Sequence, residues 1–169
     1  MGVYRKTKTP ATQQVYLTPQ DIKGRYTDWF DPCPHPRPVW DGLQVSWGEH
    51  AFCNPPWGNI RPWVEKALQE RERENGCVVH MLLPPATSTA TWHDLIFPQA
   101  TRIIFLRRYT PYLRVSDGKT VAMPSCIVTF DGQTSGRPGG VSLIGPEAQD
   151  QTGKAEFLSM IAAGRSDQH

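Results

Sequence analysis

Between Gly76 and Pro84 the chain reads CVVHMLL, Cys77 to Leu83, and Pro84-Pro85 stops the run. A nearly unbroken apolar stretch of this length is the pattern of a strand buried on both faces, as in parallel sheets covered by helices. The preceding segment supplies such a helix. Ile60, Val64, Ala67 and Leu68 recur at helical spacing, with charged residues on the opposite face. Asn59 is placed to cap that helix, Pro62 sits in its first turn, where a missing N–H costs little, and Gly76 follows its end. Further upstream, Ala51 to Cys53 is a short strand candidate halted at Asn54-Pro55-Pro56. Beyond Leu83, Thr91 to Phe97 reads as a short helix, Ile103 to Leu106 as a strand, and Cys126 to Phe130 as the last strand. Strand and helix in alternation indicate an α/β fold.

A chain of 169 residues fits one domain. Residues 1–14, polar and basic, are expected to form a flexible tail, residues 15–131 the folded domain, and residues 132–169 an irregular extension. That extension is turn-rich from Asp131 to Pro146 and carries a short helical pattern from Lys154 to Ala163. The net charge of +2 is too small to name a nucleic-acid partner by itself, since electrostatic binders carry a larger basic excess. Cys33, Cys53, Cys77 and Cys126 are far apart and form no C-x-x-C pair, which speaks against a zinc knuckle or a dithiol redox site and for reduced thiols in a cytoplasm. The five histidines show no metal-ligand spacing. His80, inside the apolar run, reads as a satisfied core residue, and Cys53 as an inert one. No apolar leader or membrane-length run is visible.

The chemistry is concentrated in Asn54-Pro55-Pro56-Trp57, at the edge where α/β sheets hold their ligands. An exocyclic amine on a nucleobase is a poor nucleophile, because its lone pair is delocalised into the ring. Two acceptors aimed at its two N–H bonds free that lone pair. The Asn54 side-chain oxygen can be one and the Pro55 carbonyl the other. Pro56 fixes the turn, because a residue before proline is confined to extended backbone. Trp57 can stack on the base, a contact worth about 1–3 kcal/mol. A base within a duplex would have to be flipped out to reach such a site.

The segments Leu17-Thr18-Pro19, Asp31-Pro32-Cys33, Asp41-Gly42-Leu43, Asn54 to Ile60, Trp63 to Ala67, Leu82-Leu83-Pro84 and Phe105 to Arg108 occur in an order that resembles the small phage-type, Dam-like DNA N6-adenine methyltransferases. The resemblance implies a reduced Rossmann-like core, S-adenosylmethionine as methyl donor, double-stranded DNA as partner, and a location in the cytoplasm of a bacterial host. It places Thr18 and Pro19 near the donor, Asp31 with Pro32 and Cys33 at the end of the first core strand, and Asp41 at the donor's ribose. The loop after Asp31, PCPHPRP, departs from the glycine-rich loops usual for such donors.

Other readings stay open at this stage. Pro32-Cys33 is the dipeptide that cytosine C5 methyltransferases use as nucleophile, but their Glu-Asn-Val segment is missing. The Asn-Pro-Pro geometry also suits cytosine N4, RNA adenine or a glutamine amide, and the glycine-free loop suits a non-catalytic nucleic-acid-binding relative. Arg107, Arg108, Tyr112 and Arg114 mix cations with aromatics and are candidate nucleic-acid contacts. Arg71 and Arg73 read as a salt-bridged helix face.

Overall fold

A computed structural model of the chain describes residues 15–132 and the backbone of a further strand at 142–144. The expected N-terminal tail and the helix at 154–163 lie outside these residues. The elements run β1 (Tyr16–Leu17), α1 (Gln20–Lys23), β2 (His50–Cys53), a 3-10 turn (Trp57–Asn59), α2 (Arg61–Arg71), β3 (Val78–Leu83), a π-helical turn (Trp92–Ile96) continuing into α3 (Phe97–Gln99), β4 (Arg102–Phe105), β5 (Thr110–Arg114), β6 (Thr120–Met123), β7 (Cys126–Asp131) and β8 (Ser142–Ile144).

The main sheet has the order β2-β3-β7-β4-β8. β2 and β3 are parallel, joined through α2, and β4 and β8 are parallel. β7 is antiparallel to both of its neighbours, β3 and β4. The expected α/β class and its strand–helix–strand unit are therefore present, as a reduced Rossmann-like sheet with one antiparallel strand inserted. Residues Leu83 and Phe105 both lie opposite Cys126, and Cys53 lies opposite Met81. The C-terminal ends of β2, β3 and β4 thus share one sheet edge. Phe30 forms a single parallel bridge to Ala51 on the outer side of β2, so the strand expected to end at Asp31 is contracted to one residue pair.

Each face of the sheet has its own core. On one face Val64, Ala67 and Leu68 of α2 pack with Val79, Met81, Val128, Trp92 and Trp47. Each Val, Leu or Met among them contributes about 1.5–3 kcal/mol when fully removed from water. On the other face α1 and the segment after it place Ile22, Tyr26 and Trp29 against Phe52, Leu82 and Ile127. His80 belongs to this second face, where its Nδ1 lies 3.1 Å from the Tyr26 hydroxyl, and burial lowers its pKa to about 3. It is the satisfied core histidine that the apolar run implied. A small antiparallel sheet, β1-β5-β6, lies beside this face.

Several details differ from the sequence reading. α2 starts at Arg61 with Ile60 as its N-cap and no side-chain cap bond. Asn59 instead ends the 3-10 turn, where its N–H donates to the Pro56 carbonyl at 3.1 Å. The segment from Asp131 to Pro146, expected to be irregular, contributes β8, because the outer edge of β4 offers it a ladder. The helix expected at Thr91 to Phe97 is a π-helical turn passing into α3.

Candidate active site

At the C-terminal edge of β2 a cavity of about 500 Å³ opens between two walls, within the size range of small-molecule sites. Asn54, Pro55, Pro56 and Trp57 line one wall, with Tyr16, Leu17 and Thr18 beside them. Asp31, Pro32, Cys33 and the segment Asp41-Gly42-Leu43 line the other, with Trp40 and Trp63. Residues more than thirty positions apart in sequence are thereby brought to one cleft. Pro19 does not line it. Its carbonyl instead accepts from the N–H groups of Ile22 and Lys23 at the start of α1, at 3.1 and 2.9 Å.

Asn54 is half-buried and bonded on both ends of its carboxamide. Nδ2 donates to the Tyr16 carbonyl and to Thr18 Oγ1, each at 3.1 Å. Oδ1 accepts from Trp57 Nε1 at 3.3 Å. A carbonyl oxygen has two acceptor directions, so Oδ1 keeps one. Trp57 is further held by an edge contact with Tyr112, ring centroids 5.0 Å apart and planes at 77°. Pro55 is buried and Pro56 is extended, φ −61° and ψ 115°, with that φ fixed by its own ring.

The opposite wall is built from local turns. Asp31 Oδ1 accepts from the Cys33 N–H at 2.9 Å, and Asp41 Oδ1 from the Leu43 N–H at 3.0 Å. Burial raises the Asp31 carboxyl pKa, against the opposing pull of the Cys33 bond and the Lys23 charge. Burial, reinforced by the Asp31 charge, pushes the Cys33 thiol up to about 11. A nucleophilic cysteine needs the reverse shift, so the Pro-Cys reading for cytosine C5 has no support here. Cys53 is fully buried and its thiol is raised well above its usual value by burial.

The two loops of this opposite wall are pinned to each other and to α2. Gly42 is pressed so closely on Pro32 that a Cβ there would lie 1.8 Å from the Pro32 carbonyl oxygen. The Gly42 carbonyl accepts from Trp47 Nε1 at 2.7 Å, and the Trp47 N–H donates to Glu70 Oε2 at 3.0 Å. Glu70, buried on α2, is also paired with Lys66 at 2.6 Å and Arg73 at 2.8 Å. Sequence reasoning passed over this chain of contacts, and over Tyr16, Lys23 and Arg37 at the cleft, because each depends on partners distant in sequence.

The four candidate nucleic-acid residues separate into groups. Arg107 and Arg108 are exposed in the connection after β4, at the same sheet edge as Asn54, and Arg108 has a left-handed φ of 67°. Arg114 forms a two-pronged pair with Asp117, 2.9 and 2.5 Å. Tyr112 is fully buried, with its hydroxyl 2.8 Å from Ser125 Oγ. Its ring supports Trp57 from within rather than facing a partner. Arg73 pairs with Glu70 and Arg71 with Glu72, as the helix-face reading implied.

Residues 38–158, more than half of the chain, match the family model described as DNA N-6-adenine-methyltransferase (Dam). The chain belongs to the Dam family. That description names adenine N6 methylation of DNA as the family's reaction. No curated protein matches the sequence. Among solved structures, a Listeria monocytogenes protein designated a class I S-adenosylmethionine-dependent methyltransferase is 17% identical with a TM-score of 0.41. That alignment covers 73% of this chain and 46% of the other, so the chain spans about half the length of that protein. Among the described residues, no helix is long and apolar enough to cross a membrane.

Proposed function

We propose that this Dam-family protein methylates the N6 amine of adenine in double-stranded DNA, with the base flipped into the cleft beside Asn54. The observation that carries the proposal is the bonded state of Asn54. Its N–H groups are both taken by protein acceptors, so the oxygen is the atom left to receive an N–H from outside. Asn54 Oδ1 and the Pro55 carbonyl accept the two amine hydrogens, and Pro56 holds the turn. Trp57, braced by Tyr112, stacks on the base.

The cleft suits an S-adenosylmethionine molecule chemically. Asp31 and Asp41 each commit one oxygen to a turn and keep the other unengaged among the described residues, which fits an ammonium group and ribose hydroxyls. Lys23 and Arg37 at the rim fit the donor's carboxylate. When bound, the donor supplies an electrophilic methyl on a sulfonium. The protein's share is to align the amine nitrogen with that carbon and to exclude water, so the rate gain is one of positioning. Arg107 and Arg108, on the same edge, are placed to meet phosphates of a duplex. Arg114 joins them only by giving up Asp117.

The test is product analysis. Unmethylated duplex DNA is incubated with methyl-labelled donor, digested to nucleosides and resolved. N6-methyldeoxyadenosine is the expected product. Label on N4-methyldeoxycytidine, or none at all with the donor shown to bind by calorimetry, would overturn the reading.

A further inference from the structure

The carboxamide of Asn54 is held by three contacts, two of which leave no choice of orientation. The Tyr16 carbonyl can only accept, so it must face Nδ2. The Trp57 indole N–H can only donate, so it must face Oδ1. Turning the amide over would set oxygen against oxygen at Tyr16 and N–H against N–H at Trp57. Thr18 can do either, and in this arrangement its hydroxyl accepts the second N–H of Nδ2 at 3.1 Å. The contact reaches 36 residues along the chain, from the end of β1 to the end of β2.

We infer that Thr18 is a positioning residue for Asn54, not a donor-binding residue, and that with the Tyr16 carbonyl it makes the site selective for a carboxamide over a carboxylate at position 54. This rests on the amine-binding role proposed above for Asn54. Acceptor strength alone predicts the opposite preference, because a carboxylate is the stronger hydrogen-bond acceptor. An aspartate at this position, however, would turn an oxygen toward the Tyr16 carbonyl and bury both without a hydrogen between them, a costly arrangement.

The experiment uses the full chain, duplex DNA and S-adenosylmethionine, and measures donor Kd by calorimetry and kcat at saturating donor for Thr18→Val, Thr18→Ser and Asn54→Asp. Thr18→Val is expected to lower kcat about tenfold, the equivalent of one hydrogen bond, with donor Kd unchanged. Thr18→Ser is expected to restore kcat, and Asn54→Asp to fall below Thr18→Val. Weakened donor binding with unchanged kcat in Thr18→Val would reassign Thr18 to the donor. An Asn54→Asp enzyme as fast as the natural one would remove the selectivity. If the natural protein makes no methylated adenine, the functional reading fails by itself, and the clamp is decided by NMR. The Asn54 side-chain amide, assigned by its loss in Asn54→Asp, should exchange slowly with solvent and lose that protection in Thr18→Val. Exchange as fast as that of an exposed asparagine in the natural protein would overturn the clamp.

Discussion

On one wall of the cleft, Asn54 bonds to residues 36 and 38 positions away; on the other, Asp31 and Asp41 each bond to the N–H two positions ahead. The first wall exists only when β1 has docked beside β2, so its geometry reports the assembled fold. The second is written into local turns, so its carboxylates keep their orientation relative to their own loops, whatever the rest of the chain does. What the second wall needs from the fold is placement, and Gly42 against Pro32 provides it. A group that must meet a transition state within a fraction of an ångström is thus fixed globally, whereas groups that hold a flexible, polar ligand are fixed locally.

The sharpest way to break this contrast is to empty the first wall. Asn54→Ala removes one of the two amine acceptors and leaves the opposite wall untouched. Loss of one preorganised polar group in an active site typically costs about 10²–10³ in kcat, and that loss is expected here, with donor Kd close to that of the natural protein. Rates at saturating donor and a calorimetric titration check both halves. Retention of full turnover would detach the motif from the chemistry.

The second wall is attacked through its placement. A Cβ at residue 42 would meet the Pro32 carbonyl oxygen at 1.8 Å and Trp63 Cζ3 at 3.1 Å, and backbone cannot step aside as a flexible side chain can. Gly42→Ala is expected to destabilise the chain by about 1–3 kcal/mol, the usual cost of overpacking. It should also weaken donor binding by separating the Asp31 and Asp41 loops. Thermal unfolding and donor titration measure the two effects. Normal donor affinity in a destabilised Gly42→Ala protein would show that the wall does not need its closure.

The same contrast explains what the sequence could and could not disclose. Asn54 to Trp57 was legible because its chemistry is contiguous, and β2, α2 and β3 because burial on both sides of a sheet leaves an unmistakable apolar pattern. The strand β1 was illegible. It has two residues, and its partners, Leu113 and Arg114, lie almost a hundred positions on. Without it the bond from Asn54 to Thr18 could not be foreseen, and Thr18 was placed near the donor by resemblance alone. Tyr112 looked like a nucleic-acid contact because arginines flank it in sequence; alternation in β5 turns it inward under Trp57 while Leu113 stays exposed. β8 was masked by the glycines and prolines around it, since a short strand draws its stability from the ladder it joins and not from its own propensity.

The finest test sets Asp31 against its own environment. Burial raises its carboxyl pKa above the ordinary value despite the bond from Cys33 and the charge of Lys23. A carboxyl whose folded pKa is raised supports the fold at pH values below its unfolded pKa, about 3.9, and that support is lost as pH rises through the folded value. At neutral pH the ionised Asp31 therefore costs stability in the donor-free protein. A carboxamide in place of this carboxylate would still accept from the Cys33 N–H, but without charge. Asp31→Asn is expected to unfold a few degrees higher near neutral pH, with the gain shrinking toward the acid side of about pH 4. Its donor affinity should fall by about tenfold, since a hydrogen bond to a charged group exceeds a neutral one by about 1 kcal/mol or more. Scans of unfolding temperature against pH, paired with donor titrations, read both signs at once. A more stable protein that binds donor less well would mark Asp31 as a carboxylate kept for its ligand, and unchanged donor affinity would leave it a turn residue that happens to face the cleft.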